Sequence, residues 1–273
     1  MIKFIFVGLF LILQSQNYNI KSIINDIVEK NKQYSNISFT FIISQKINGN
    51  IHKSKAFVKY RRSPKSIYYK QFYPKKGVEI LYNKNVSYTK VLVNPGGFPW
   101  TSLNLDYNSP ELRENQHHSI MEANFDYIIS VVKRTFNNID NLKKTFIEDV
   151  NYNKTNCYKI TYENAGYKFF KYKVKQNETV CSIAKKFNIN DYKILEINNL
   201  KSYGKVDKDK ILILPNDYSK KAVFIIDKKT FLPKNIKIYD EKGLFEELSY
   251  FNIKVGLKFL PNEFKKDFKD YNF

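Results

Sequence analysis

Two cysteines, one tryptophan, three histidines and four arginines are all that this chain of 273 residues holds of those types. Each scarcity narrows what the protein can do. With only Cys157 and Cys181, no multi-cysteine zinc module and no disulfide framework can be assembled. Whether those two pair stays open, because a bridge needs Cα atoms within roughly 7 Å and sequence does not show that distance. No GxSxG, HExxH or phosphate-cradling glycine loop occurs, so the common signatures of serine hydrolases, zinc peptidases and nucleotide enzymes are missing. No cofactor is implied.

The four arginines, Arg61, Arg62, Arg113 and Arg134, stand against 42 lysines, within a formal net charge of +20. A strongly basic chain invites a nucleic-acid reading. Here Lys, Asn, Ile, Tyr and Phe are raised together, and all have AT-rich codons, so the composition of the coding DNA explains the bias. There is no arginine-rich stripe or RNA-binding aromatic signature, and nucleic acid is not expected as a partner.

Long apolar runs are also lacking. Phe4 to Leu13, about ten residues behind Lys3 and ahead of Ser15, is too short to span a bilayer but suits a secretory signal. Residues 1–15 are read as a signal peptide and the protein as exported to the periplasm or cell envelope, not membrane-spanning. No cysteine follows the expected cleavage point, so no lipid anchor is indicated.

What the chain does have is periodicity. Ile20, Ile23, Ile24, Ile27 and Val28 recur at helical spacing to about Lys32. Alternating segments follow at Ile37 to Lys46, Lys55 to Arg62, Ile67 to Phe72, Val78 to Tyr82 and Val86 to Val93, separated by turn residues such as Asn48-Gly49-Asn50 and Ser63-Pro64. Pro95 to Trp100 breaks the pattern and predicts a long loop of some twenty residues. A second helix is expected from Ser119 to Phe136. Strands resume at Asn156 to Glu163, Tyr167 to Tyr172, Lys221 to Asp227, Lys234 to Asp240, Leu244 to Phe251 and Val255 to Leu260.

Between Tyr172 and Pro215 the rhythm changes. Tyr172-Lys173-Val174 suits a short strand, Asn177-Glu178-Thr179 starts a helix, and Val180, Ile183, Ala184 and Phe187 form one apolar helical face. Ile194, Leu195 and Ile197 suit a second helix and Ile211 to Leu214 a closing strand stopped by Pro215. This β-α-α-β order in 44 residues resembles the LysM module, which binds N-acetylated glycans such as peptidoglycan and chitin. The matching positions include Tyr172, Val174, Thr179, Ile183, Ala184, Phe187, Asn198, Leu200, Val206, Leu212 and Pro215. Asn177-Glu178 stands where the module has Gly-Asp, and Asp209-Lys210 where it has Gly-Gln. The resemblance implies a glycan groove formed by Asn177, Glu178, Thr179 and Val180 with Asn198, Asn199, Leu200 and Lys201, in which Val180 and Leu200 meet the acetyl methyls.

The remaining frame, helix, meander, helix, meander, is similar in its last strands (Phe224 to Asp227, Leu232-Pro233, Ile236 to Leu248) to the bacterial lipoprotein-carrier (LolA/LolB-like) fold. Asn115-Gln116-His117-His118-Ser119-Ile120 and the closing Tyr271-Asn272-Phe273 look like marks of an uncharacterised family of exported bacterial proteins that combine such a half barrel with a LysM-like insertion. The expected fold is therefore α+β. A curved antiparallel half barrel with packed helices occupies residues 16–171 and 216–273, and the module occupies 172–215.

A half barrel offers a groove. Phe39, Phe41, Ile43, Phe57, Tyr69 and Tyr88 are the candidate lining for an apolar cavity suited to a lipid or acyl chain. His117, His118 and Glu122, with Glu114 nearby, either begin a metal site or cap a helix and tie the loop to it. Glu246 and Glu247 point to opposite faces of a strand and cannot share a substrate. The reading is a non-catalytic envelope binding protein with peptidoglycan, or another N-acetylated glycan, and lipid or lipoprotein acyl chains as partners. The alternative is a cell-wall hydrolase or its accessory, using His117, His118 and Glu122.

Overall fold

A computed structural model describes residues 19–137 and 139–273, apart from the side chain of Ile139. The expected signal peptide, residues 1–15, lies outside them. Helix α1 (Ile20–Lys32) begins where the Asn19 side chain accepts the Ser22 N–H at 3.1 Å and buries Ile23, Ile24, Ile27 and Val28. Six strands follow as an antiparallel meander: β1 (Asn36–Ile47), β2 (Asn50–Arg61), β3 (Ser66–Tyr73), β4 (Glu79–Asn83), β5 (Lys90–Asn94) and β6 (Leu103–Asp106). Asn48 and Gly49 close the β1–β2 hairpin with φ of 50° and 83°, the left-handed pair that matches strand twist.

Five further strands complete the frame: β7 (Thr145–Tyr152) and β8 (Thr155–Glu163), and later β11 (Lys221–Asp227), β12 (Pro233–Asp240) and β13 (Gly243–Val255) as a second meander with β8 at its flank. The sheet has eleven strands in the order β6-β5-β4-β3-β2-β1-β13-β12-β11-β8-β7, its two halves joined where β1 pairs with β13. It is open, and it curves: β5 and β12, far apart in strand order, line one cavity through Val93 and Ile236. Between β8 and β11 the chain leaves the sheet. There it forms β9 (Phe169–Lys173), α5 (Val180–Phe187), α6 (Asp191–Asn198) and β10 (Ile211–Pro215), with β9 and β10 paired only to each other.

Several expectations change. The strand expected at Tyr167 to Tyr172 belongs to this separate two-stranded sheet, because its partner is β10. The excursion therefore starts after Glu163, which faces Lys221 across β8 and β11. The long loop after Trp100 contains β6 and a single turn of helix, α2 (Pro110–Arg113). The helix expected from Ser119 is two pieces, a 3₁₀ turn (Ile120–Glu122) and α3 (Phe125–Phe136). Asn124 breaks them apart by adopting an extended backbone and accepting the Tyr127 N–H at 3.1 Å. A short helix, α4 (Ile139–Lys143), then leads into β7, a strand not foreseen. The last two expected strands are one, β13, which passes Asn252 at φ 51°. Residues after Gly256 are not a strand.

They turn back instead onto the outer face of the sheet. Phe264, Phe268 and Tyr271 pack with Tyr68 and Leu81 as a cluster separate from the main core, and Phe57 joins its edge. Tyr271 stacks on Tyr68 at 3.7 Å, and Asn272 donates through its backbone and side chain to the fully buried carboxylate of Glu79. The main core lies on the inner face under α1 and α3, and a third cluster fills the inserted unit around Ile183, Ile194 and Leu212. No helix among the described residues is long and apolar enough to cross a membrane.

Candidate functional site: a lidded cavity beside an inserted unit

Alternation on β1 sends Phe39, Phe41 and Ile43 inward, and Tyr69, Ile80, Val93, Ile236 and Leu248 join them on neighbouring strands. Over these residues lies α3, which presents Tyr127, Ile128, Val131 and Thr135. The enclosed space is about 630 Å³, within the range of small-molecule sites. Two of the expected lining residues are elsewhere. Phe57 falls between Ala56 and Val58, so strand parity turns it to the outer face, and Tyr88 is exposed in the turn between β4 and β5.

One carboxylate holds α3 in place. Asp126 accepts from Asn31 of α1 at 3.0 Å, from the Tyr60 hydroxyl at 2.5 Å and from Arg62 at 2.5 and 3.0 Å. Burial opposes its charge, but the hydrogen bonds from Arg62 and Tyr60 and the Arg62 charge hold its carboxyl below the usual range. The same guanidinium donates to the carbonyls of Asn31 and Lys32 at the end of α1. The lid is thus latched to both α1 and β2.

At the polar end of the cavity stands His118, next in sequence to the buried His117. His118 lies between carboxylates, 3.2 Å from Glu122 and 2.8 Å from Glu246. Burial would lower its pKa, but the Glu246 charge and the hydrogen bonds to both carboxylates outweigh burial and raise it to about 10. Glu246 shows the converse: burial opposes ionisation, yet His118 and His117 hold its carboxyl well below the usual range. His117 is fully buried, 3.0 Å from Glu246 through Nδ1 and 2.9 Å from the Lys46 carbonyl through Nε2. Glu122 also receives the Ser119 N–H, completing a capping box. Both rings are therefore engaged in tying the 114–122 segment to β1 and β13, and no group of three or more His, Cys, Asp or Glu able to hold a metal occurs among the described residues. Glu247, on the opposite face of β13, contacts Asn235 and Lys237.

The inserted unit rests directly on that segment. Tyr192 of α6 stacks on His117 at 4.6 Å, and Phe245 of β13 does so at 4.0 Å. The Tyr192 hydroxyl accepts the Asn48 N–H at 3.0 Å. Lys193, 3% exposed, reaches Asp240 at 2.7 Å, Glu241 at 2.9 Å and Glu196 at 3.2 Å. Arg113 donates to Asp191 at 2.8 Å and lies 3.7 Å from the Tyr203 ring, whose hydroxyl donates to the Gln116 carbonyl. Asp191 also takes a 3.5 Å contact from Cys181, whose thiol burial and Asp191 push up to about 12. Cys181 and Cys157 are both free. Such a thiol stays protonated and is no nucleophile at neutral pH.

The expected groove residues divide. Val180 is fully buried in the core of the unit and cannot meet a ligand. Its N–H donates to the Gly204 carbonyl, and the Val206 N–H to that of Glu178, so the 204–206 segment closes against the first loop. Thr179 caps α5 by accepting the Ser182 N–H at 3.0 Å. Glu178 is bound to the Tyr172 hydroxyl, the Lys175 N–H and Lys186. Asn198 holds both backbone groups of Ile213, and Leu200 packs on the unit's core. Asn177, Asn199 and Lys201 remain exposed, the two asparagines at φ of 64° and 50°.

Sequence reasoning did not single out Arg113, Asp191, Tyr192, Lys193 and Tyr203 as the docking set. Arginine scarcity was the available signal. In a lysine-dominated chain an arginine marks a site that needs a planar fork or a stacked cation, and Arg62 and Arg113 both occupy such sites.

Residues 34–176 match the family described as Protein of unknown function (DUF1571), and residues 172–215 match the LysM domain. The chain belongs to the DUF1571 family. Its Asn115-to-Ile120 stretch falls within the matched region, while Tyr271-Asn272-Phe273 falls beyond it. No curated protein matches the chain. Similar solved structures include lipoprotein LppX of Mycobacterium tuberculosis, 13% identical with a TM-score of 0.42, covering 88% of this chain and 97% of that one. A LolA superfamily protein of Nitrosomonas europaea is 12% identical with a TM-score of 0.34, covering 91% and 98%. A DUF1329 family protein of Desulfovibrio piger is 11% identical with a TM-score of 0.34, covering 90% and 97%.

Proposed function

We propose that this DUF1571 protein is a non-catalytic binding protein of the cell envelope, in which the cavity takes an acyl chain or similarly apolar group and the LysM unit holds a peptidoglycan-type glycan. The observation that carries the reading is the cavity itself. It is walled by Phe39, Phe41, Ile43, Tyr69 and Leu248, lidded by Ile128 and Val131, and has a built polar end at His118, Glu122 and Glu246. An apolar wall favours each buried CH₂ by about 0.8 kcal/mol, while the polar end fixes orientation. Export with removal of residues 1–15 is part of this reading. So is a division into a half barrel and an inserted module, with the boundaries expected at 172 and 215 moved out to where the chain leaves the sheet after Glu163 and rejoins it at Lys221.

On the module, Asn199 and Lys201 are the side chains free to contact a glycan, with Asn177 beside the first loop. Nothing favours the hydrolase alternative, since both histidines are already committed to carboxylates and backbone.

The test uses two variants in parallel. Ile128→Glu places a charge in the lid and lowers uptake of a fluorescent fatty acid at least about tenfold, leaving peptidoglycan retention intact. Asn199→Gly with Lys201→Ala removes both side chains without straining the left-handed position and weakens retention, leaving uptake intact. Undiminished uptake by the first variant refutes the cavity, and undiminished retention by the second refutes the glycan surface.

A further inference from the structure

Phe98 and Trp100 are each 82% exposed, and Tyr73, one loop away, is 56% exposed. Most exposed apolar residues are scattered singly and mean little. Tyr73 closes β3 at the start of the β3–β4 loop, and Phe98 and Trp100 stand on the β5–β6 loop, at the same end of the half barrel. Glycine locks the two loops together. A Cβ on Gly96 would come within 2.6 Å of the Gly77 carbonyl carbon, so the backbones touch as only glycine permits.

Within that pinned pair the aromatic side chains are held outward. Gly96 N–H donates to the Asn94 side chain at 2.8 Å and Trp100 N–H to the Gly97 carbonyl at 2.8 Å, with Trp100 at φ 60°. A bulky residue in the left-handed region is unfavourable unless its surroundings impose it. Turning the ring inward would bury it, and the loop does the reverse. The bases of the same loops, Pro74, Lys75 and Pro95, line the cavity. The aromatic tips therefore stand at its mouth. Val86 and Tyr88, also exposed, lie in the β4–β5 turn at the other end, away from the mouth.

Charge identifies the partner. Lys75 and Lys76 lie within the first loop, Lys53 lines the cavity beside it, and Lys55 stands 5.9 Å over the Phe72 ring. Residues 73–77 and 94–102 contain no Asp or Glu. Aromatic tips ringed by lysine are the pattern that seats at a bilayer interface. The rings enter the headgroup level and each nearby ammonium gains from anionic lipid. We propose that the Tyr73–Gly77 and Asn94–Ser102 loops dock the protein on an anionic bilayer surface, with the cavity mouth facing the lipid. This goes beyond the binding reading above and does not depend on what fills the cavity.

Trp100 is the chain's only tryptophan, so its fluorescence reports this loop alone. The full chain is titrated with vesicles of phosphatidylethanolamine and phosphatidylglycerol in equal parts, with and without brominated acyl chains. Trp100 emission shifts to the blue and bromine quenches it. Phe98→Ser lowers vesicle affinity about tenfold, and Lys75→Glu with Lys76→Glu lowers it further in low salt than in high salt. The N-terminal apolar run is common to all variants, so differences among them belong to the loops. Unshifted, unquenched Trp100 emission overturns the proposal, as does equal affinity of the Phe98→Ser variant. Binding by phosphatidylcholine vesicles as strong as by anionic ones overturns the charge assignment. Ile128→Glu, which lowers acyl uptake, leaves Trp100 quenching in place, so the two readings fail separately.

Discussion

The guanidinium of Arg113 lies 3.7 Å from the centre of the Tyr203 ring and donates to Asp191 at 2.8 Å, joining the turn after β6 to the LysM unit through a cation that is 4% exposed. A buried ion pair gives little net stability when both partners are present, but removing one strands the other in low dielectric. Arg113→Ala is expected to leave Asp191 uncompensated and to cost about 3–5 kcal/mol. Arg113→Lys keeps the charge but loses the stacked plane, and should recover only part of that loss. Chemical denaturation of the three proteins checks both, and limited proteolysis should show the 164–220 region cut first.

The His118–Glu246 pair makes stability depend on pH in a defined direction. His118 is raised to about 10 from an ordinary value near 6.5, so its contribution is complete below about 6.5 and fades as pH climbs to about 10. Glu246 is depressed, so its contribution is present above about 4.3 and is lost only as pH falls through its lowered value. Stability should therefore peak between those limits and decline from neutral to alkaline pH. Glu246→Gln removes the charge that holds His118 protonated and should flatten the alkaline decline. NMR titration of the His118 ring provides the direct reading: an imidazolium signal absent at pH 8 in the unaltered protein contradicts the assignment.

Asn272 contributes through Glu79, a carboxylate with no solvent contact. Lys70 lies 2.9 Å from one oxygen, and Asn272 donates to both oxygens from backbone and side chain. Asn272→Ala withdraws one donor and is expected to cost about 1–3 kcal/mol. Asn272→Asp should cost more, because two carboxylates then face each other. The midpoint of urea unfolding decides the order.

Much of this was legible in the chain. Ile23, Ile24, Ile27 and Val28 announce α1 because a 3.6-residue period survives any tertiary context, and Asn48-Gly49 marks its hairpin through backbone conformation alone. Thr179, Ile183 and Leu212 give the module for the same reason. What could not be read is long-range. Arg113 and Asp191 are 78 residues apart, and His118 and Glu246 are 128 apart, so no local pattern announces either pair. Strand β7 escaped because Phe146 points to solvent while Thr145 and Ile147 turn inward, inverting the expected apolar face. Phe57 was misplaced by one step of parity, the smallest error a strand allows and one that moves a side chain across the whole sheet. The LysM resemblance places Val180 at the glycan, whereas its apolar spacing with Ile183, Ala184 and Phe187 assigns it to the core, where it is buried.

The central seam between β1 and β13 governs the order in which the molecule can assemble. Ile37 pairs with Val255 and Gln45 with Glu246, so strands near opposite ends of the described chain meet at the middle of the sheet. The β1–β6 meander and the β11–β13 meander can each zip up from neighbouring hairpins, but the inner wall of the cavity does not exist until the seam closes. Closing it spans a loop of roughly 200 residues, which the LysM unit lengthens at a cost that grows only logarithmically. A chain made or threaded from its N-terminus therefore stays without this cavity until nearly the last described strand has emerged.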